Sequence, residues 1–225
     1  VLKITISKEN YLKTIAEAES EGENVIAATL VRWLKVSAPA VTMAIRRLKR
    51  DELIRVGGEG QISLTRSGRA IASRLLNRHH LIERMLTEVF GMEWYKVHDE
   101  AEQLEHAVSA DFENKLRDRL GEGGTCPHGN RVGLDTPADR RRRGLKRLDE
   151  SEIEEHLSVV SVFERDRRFL EHLDKLHVRP GAALCITGAN RDSLTLDVEG
   201  KSVHIERPAA ERVWVRPIHA TTSRW

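Results

Sequence analysis

The chain has 225 residues, 40% of them apolar, which is enough for one large core or for two to three small domains. Its 37 basic and 35 acidic residues nearly cancel, so the total charge says little and its distribution says more. Two cysteines far apart, Cys126 and Cys185, exclude a disulfide framework, and the lack of a long apolar run or leader pattern excludes a spanning segment. A reducing, cytoplasmic setting is the expectation.

The first predicted helix starts near Ser7, buries Tyr11, Leu12, Ile15 and Ala18, and stops at Glu21-Gly22. A second covers Ala27 to Leu34. Ser37 is a good N-cap for a third, Ala38 to Arg50, with Pro39 in the first turn where its missing N–H costs nothing. Val41, Ala44, Ile45 and Leu48 form the apolar stripe of that helix, and Thr42, Met43, Arg46, Arg47 and Arg50 form the other side. Leu53–Val56 and Ile62–Leu64 flank a glycine turn, as in a β-hairpin. Helix, turn, helix and hairpin in this order read as a winged helix with a recognition helix. From Thr29 to Arg78 eleven Lys/Arg face three Asp/Glu, which favours DNA over a merely solvated surface.

Thr65 caps a long helix predicted to reach Val89, and two shorter helices follow at Val97–Val108 and Asp111–Leu120. Few aromatics and short helices bury little alone, so a homodimer interface is expected here. Gly121 to Asp149 reads as irregular, with Arg140–Arg143 as a solvated linker. Beyond Leu157 come a short helix through Phe169, Leu170, Leu173 and Leu176, and strand-like segments at Ala182–Thr187, Leu194–Val198, Val203–Ile205 and Val213–Val215, the pattern of a small barrel. The expected architecture is mainly α with small β. It has a winged helix-turn-helix (1–73), a helical dimerisation and metal-binding domain (74–140), a linker (141–151) and an SH3-like barrel (152–225).

Between His79 and Asp118 the charge balance reverses, to four Lys/Arg against ten Asp/Glu. His79 and Glu83 are four apart, and His98, Glu102, Glu105 and His106 follow i, i+4, i+7, i+8 on one helical stripe. Packed together without a cation, such groups would repel one another, so they are either splayed into water or neutralised by a divalent transition metal. A metal site behind a DNA reader suggests a metal-controlled switch. A di-metal hydrolase is the rival class, but no separate nucleophile or oxyanion device is evident and the winged helix would go unexplained. A metal-storage module is a further rival.

The segment RHHLIERMLTEVFGMEWYKVHDEAEQLEHAVS resembles the core motif of the diphtheria-toxin-repressor family of metal-dependent transcriptional regulators. SKENYLKTIAEAESEG, VSAPAVTMAIRRLKRDELI, the CPHGN loop and HVRPGAALCI extend the resemblance over nearly the whole chain, the last of these looking like an appended SH3-like domain. The resemblance implies a homodimer that binds a palindromic operator when loaded with metal. It implies one site from Asn10, Glu102, Glu105 and His106. It implies another from His79, Glu83 and His98, extended by Cys126, His128 and an acidic residue of the third domain, Asp166 in preference to Glu164. Where the iron-responsive branch carries Met and Cys and the manganese-responsive branch Asp and Glu, this chain carries Asn10 and Glu102. Glu102 shifts preference towards Mn²⁺, with Fe²⁺ next and Zn²⁺, Co²⁺ or Cd²⁺ as substitutes. Ser37, Pro39 and Thr42 are implied to approach base edges, and Met43 stands where the family commonly has Gln, so the operator is expected to differ there. Without metal the acidic cluster is expected to repel itself and the two helices that carry it to sit loosely; metal is expected to neutralise it and tie the start of the first helix, near Asn10, to the dimer helices.

Overall fold

The computed structural model describes residues 4–121, 123–131 and 135–218. Residues 219–225 of the expected third domain lie outside the described residues. The chain divides into two compact units. One takes in residues up to Ile82 together with Glu102–Gly124 and Arg131–Pro137, and the other Glu83–Ala101, Thr125–Asn130 and the chain from Ala138 onward.

In the first unit, α1 (Ile6–Ser20), α2 (Ala27–Leu34) and α3 (Ala38–Arg50) precede the hairpin β1 (Ile54–Val56) and β2 (Ile62–Leu64). The limits of α2 and α3 are those read from the sequence. The reason is local: Ser37 Oγ accepts from the Ala40 N–H (3.4 Å), and proline falls in the first turn. Leu12, Ile15, Leu30, Val41, Leu48 and Leu53 close the core of this winged helix. The long helix α4 (Arg66–Arg84) begins at Thr65, whose hydroxyl accepts from the Gly68 N–H and donates to the Glu52 carbonyl.

Gly68 seats α4 against the hairpin. A Cβ at this position would lie 2.0 Å from the Leu53 carbonyl oxygen. Gly68→Ala is therefore expected to cost about 3 kcal/mol, the upper end for forced overpacking. Urea denaturation measures it, and a loss below about 0.5 kcal/mol would show that the contact yields without strain.

The helix predicted to reach Val89 ends as α-helix at Arg84 and continues as one wider π-turn, Met85–Val89. Thr87 accounts for the change, since its hydroxyl donates to the Glu83 carbonyl at 2.6 Å. Two shorter helices follow, α5 (Val97–Leu104), shorter than predicted, and α6 (Ala110–Leu120), whose Ser109 cap accepts from the Phe112 N–H.

Among its described residues, the stretch 121–149 holds regular elements that its composition does not suggest. It carries α7 (Pro137–Arg142) and the short strand β3 (Lys146–Arg147). Arg140 is 3% exposed, and its guanidinium lies 5.2 Å from the centre of the Trp214 ring, with Arg141 at 5.7 Å. The arginine run is thus only partly solvated: Arg140 is buried, while Arg141 and Arg142 are exposed. Cation–π stacking and burial of the side-chain stem hold its first members.

The second unit is built on an antiparallel sheet in the order β3-β8-β4-β5-β6-β7, with β4 (His156–Val162), β5 (Ala183–Ala189), β6 (Ser193–Val198), β7 (Lys201–Glu206) and β8 (Val213–Pro217). Alternating inward residues of these strands pack on Phe169, Leu170 and Leu173 of α8 (Arg167–Lys175). The β6–β7 connection is two residues, Glu199 and Gly200, both at positive φ (55° and 79°), which matches the twist of a tight hairpin. The four-residue helix α9 (Arg207–Ala210) joins β7 to β8. No described helix is long and apolar enough to cross a membrane.

Candidate metal centres and DNA-reading face

Two clusters of buried polar side chains stand out, one in each unit. In the first unit, α1 carries Glu9, Asn10, Lys13 and Glu17 at helical spacing. They face His79 of α4, and Glu102, Glu105 and His106 at the end of α5. The centre of this cluster is Lys13, 3% exposed. Its Nζ lies 2.8 Å from Glu105 Oε2, 2.9 Å from His79 Nδ1, 3.9 Å from Glu17 and 4.0 Å from Glu102. His79 Nδ1 also meets Glu105 Oε2 at 2.6 Å. Burial opposes the Lys13 charge, but Glu17, Glu105 and Glu102 outweigh it and hold the ammonium above its usual pKa. Burial likewise opposes the Glu105 carboxylate, yet His79 and Lys13 hold it below the usual range. His106 bonds Asn10 Oδ1 (2.7 Å) and Glu9 (3.2 Å). The acidic cluster is thus not left without a cation in the fold. A lysine missed in the sequence reading offsets part of its negative charge and ties α1 to the 102–106 segment.

In the second unit, Glu83 at the end of α4, His98 of α5, Cys126 and His128 of the loop 125–130, and Glu164 after β4 converge. Glu83 Oε1 lies 3.2 Å from His98 Nδ1 and 3.4 Å from His128 Nδ1. Glu164 Oε2 lies 3.3 Å from Cys126 Sγ and 3.5 Å from His128 Nδ1. Cys126, His128 and Glu83 are buried. His128 is oriented by its other nitrogen, Nε2, 2.9 Å from the Trp94 carbonyl, which leaves Nδ1 aimed at the two carboxylates. Burial opposes a charge on His128, but Glu83 and Glu164 outweigh it and push its pKa up to about 10. Burial first, then the Glu164 and Glu83 charges, push the Cys126 thiol well above its usual value.

The loop itself is fixed by backbone. Cys126 N–H donates to the Asn130 carbonyl, Gly129 N–H to the Cys126 carbonyl, and Val162 N–H to the His128 carbonyl, at 2.8–3.0 Å. Gly129 has φ +81°, and a Cβ there would fall 1.9 Å from the Val160 carbonyl oxygen, so only glycine fits. Asn130 Nδ2 holds Glu164 in place at 2.7 Å.

Asp166, the preferred third-domain residue from sequence, is engaged elsewhere. It caps α8 by accepting from the Phe169 N–H (3.1 Å) and pairs with Arg212 (3.2 Å). The structure places Glu164, two residues earlier, beside Cys126 instead. At this spacing sequence alone could not choose, because both carboxylates fall in the same short connection between β4 and α8.

The second cluster offers carboxylates, imidazoles and a thiol, all buried, a donor set that fits one divalent first-row ion. In the first cluster a primary ammonium already stands among the donors. On the winged helix, Ser37, Pro39, Thr42, Met43, Arg46, Arg47 and Arg50 are all exposed on one end and side of α3. Arg50 lies 3.3 Å from Asp51.

Three family models match in chain order. They are the iron dependent repressor N-terminal DNA binding domain over residues 3–61, its metal binding and dimerisation domain over 65–132, and the FeoA domain over 146–217. The diphtheria toxin repressor of Corynebacterium jeikeium is 30% identical over 94% of this chain and 97% of its own length. The chain belongs to the diphtheria-toxin-repressor family. Another relative, the iron-dependent repressor IdeR of Mycobacterium tuberculosis, is 40% identical over 55% of this chain and 54% of its own. Among solved structures, a manganese-dependent transcriptional repressor in complex with manganese superposes with a TM-score of 0.82 at 28% identity, over 94% of this chain and all of that one. ScaR with bound Zn²⁺ gives 0.78 at 26% identity, over 94% of this chain and 99% of that one. Members of the diphtheria-toxin-repressor family are metal-dependent transcriptional repressors, not enzymes, with a DNA-binding domain joined to a metal-binding dimerisation domain. The winged helix and the small SH3-like sheet seen here are the family fold.

Proposed function

We propose that this repressor answers to Mn²⁺, working in the cytoplasm as a homodimer on a palindromic operator. The module limits proposed are those set out from the sequence. The observation that carries the reading is the buried group of Glu83, His98, Cys126, His128 and Glu164, whose donors are mostly oxygen and nitrogen. Glu164 replaces Asp166 in it. The named complex of a similar repressor with manganese supports the same ion. Fe²⁺ is the second reading, favoured by one observation, the Cys126 sulfur among the donors. Zn²⁺ and Cd²⁺, held by the similar ScaR, are expected to substitute in vitro.

A bound ion supplies positive charge that lets the two buried carboxylates stay together. The residues do the rest: Glu83 and His98 fix the ends of α4 and α5, and the loop 125–130 closes over them. A tenfold preference of metal for the DNA-competent arrangement is worth about 1.4 kcal/mol, and two protomers double the bias. On α3, Arg47 is assigned to phosphate. Arg47→Ala should weaken cognate and unrelated DNA alike and lower the salt slope by about one unit. Loss of affinity for the cognate sequence alone would move Arg47 to base reading.

Gel-shift titration on the chain's own promoter with Mn²⁺, anaerobic Fe²⁺ and chelator tests the whole reading. A shift that needs Mn²⁺ and disappears with chelator is expected. Binding that ignores chelator would reject a metal switch.

A further inference from the structure

The first cluster has the residues of a metal site and the wrong centre for one. Its contacts to Lys13 Nζ, 2.8 Å from Glu105 and 2.9 Å from His79, are hydrogen-bond lengths for an ammonium. A Mn²⁺- or Zn²⁺-sized ion needs bonds of about 2.0–2.2 Å to such donors. Glu105 Oε2 and His79 Nδ1 stand only 2.6 Å apart, bonded to one another as well. The other groups facing Nζ are Glu17 and Glu102, each within 4.0 Å. His106, the remaining donor expected here, is turned to Asn10, Glu9 and Glu105 Oε1. Lys13 sits on the same helix as Glu9 and Glu17, at i+4 and i−4, so the helix itself aims the ammonium at the cluster. An arriving divalent ion would meet a fixed positive charge among its own ligands.

We propose that Lys13 is a tethered cation that takes the place of an ion at the Asn10/Glu102/Glu105/His106 group, so that each protomer binds metal only at the Glu83/Cys126/His128 group. This rests on the metal-binding reading above for the second group alone. Two consequences follow. The link between α1 and the 102–106 segment persists without metal. The switch then runs on one ion per protomer.

The test is metal stoichiometry. Chelator-treated full-length protein is dialysed to equilibrium against Mn²⁺, and separately against Co²⁺, and bound metal is counted by mass spectrometry. Wild type should hold one ion per protomer. Lys13→Gln should hold two, and Lys13→Arg, which keeps the charge, one. Cys126→Ser should lose the single ion, and Lys13→Gln/Cys126→Ser should regain one. Two tight ions in wild type would overturn the proposal, and this outcome needs no variant to fold. A folded Lys13→Gln that still holds one ion would overturn it too. Wild type with none and Lys13→Gln with one would reject the second group as the metal site while supporting Lys13 as the resident cation.

Discussion

Replacing Glu83 with alanine is expected to weaken metal binding by about 100-fold or more, beyond the 10- to 100-fold typical of losing an outer-shell partner. Metal-dependent operator binding should disappear with it. Glu83 is fully buried and touches both His98 and His128 through one oxygen. Its removal takes away a buried carboxylate and leaves the imidazoles of His98 and His128 facing a void. Glu83→Gln is the control for shape: the amide fills the space but brings no charge. Equilibrium dialysis with Mn²⁺ followed by gel shift reads both effects. Unchanged affinity in the alanine variant would remove Glu83 from the site.

The second large effect is on pH. In the metal-free protein at pH 7, His128, with its pKa pushed up to about 10, is an imidazolium, and Cys126, pushed well above its usual value, is a thiol. Ligation requires neutral imidazole and thiolate, so binding expels both protons. Affinity should rise with pH, by up to about 100-fold per unit while both groups start protonated. The rise should ease towards about tenfold per unit as pH passes 10, where His128 no longer has a proton to give but the Cys126 thiol still does. Calorimetry in buffers of different ionisation enthalpy counts the protons directly. About two are expected for wild type. A binding heat independent of buffer would show that these two groups do not ligate.

Much of the winged helix could be read from the chain because its signals are local. A serine cap, a proline in the first turn and a 3.6-residue apolar stripe fix α3 without help from distant residues. The long helix was legible in extent but not in kind, since the π-turn depends on one threonine hydroxyl finding a carbonyl. Lys13 was invisible for a different reason. Its neighbours in sequence, Leu12 and Thr14, are buried core positions, and its partners lie 66 and 92 residues away. The choice between Glu164 and Asp166 turned on which of them a helix end claims, and that is decided by α8 and Arg212. The burial of Arg140 was not legible because a charge run carries no mark of the indole that stacks on it.

Strand β4 changes register against β8 between Val159 and Ser161. Val160, the residue at that step, turns its carbonyl to the glycine of the loop 125–130, and Val162 bonds the His128 carbonyl. The bulge therefore acts as a spacer. Deleting Val160 would restore a smooth ladder, with Ser161 and Val162 keeping their β8 partners, but would take away the backbone on which the loop carrying Cys126 and His128 is seated. Such a chain should still form its sheet, yet have lost the means to sense an ion.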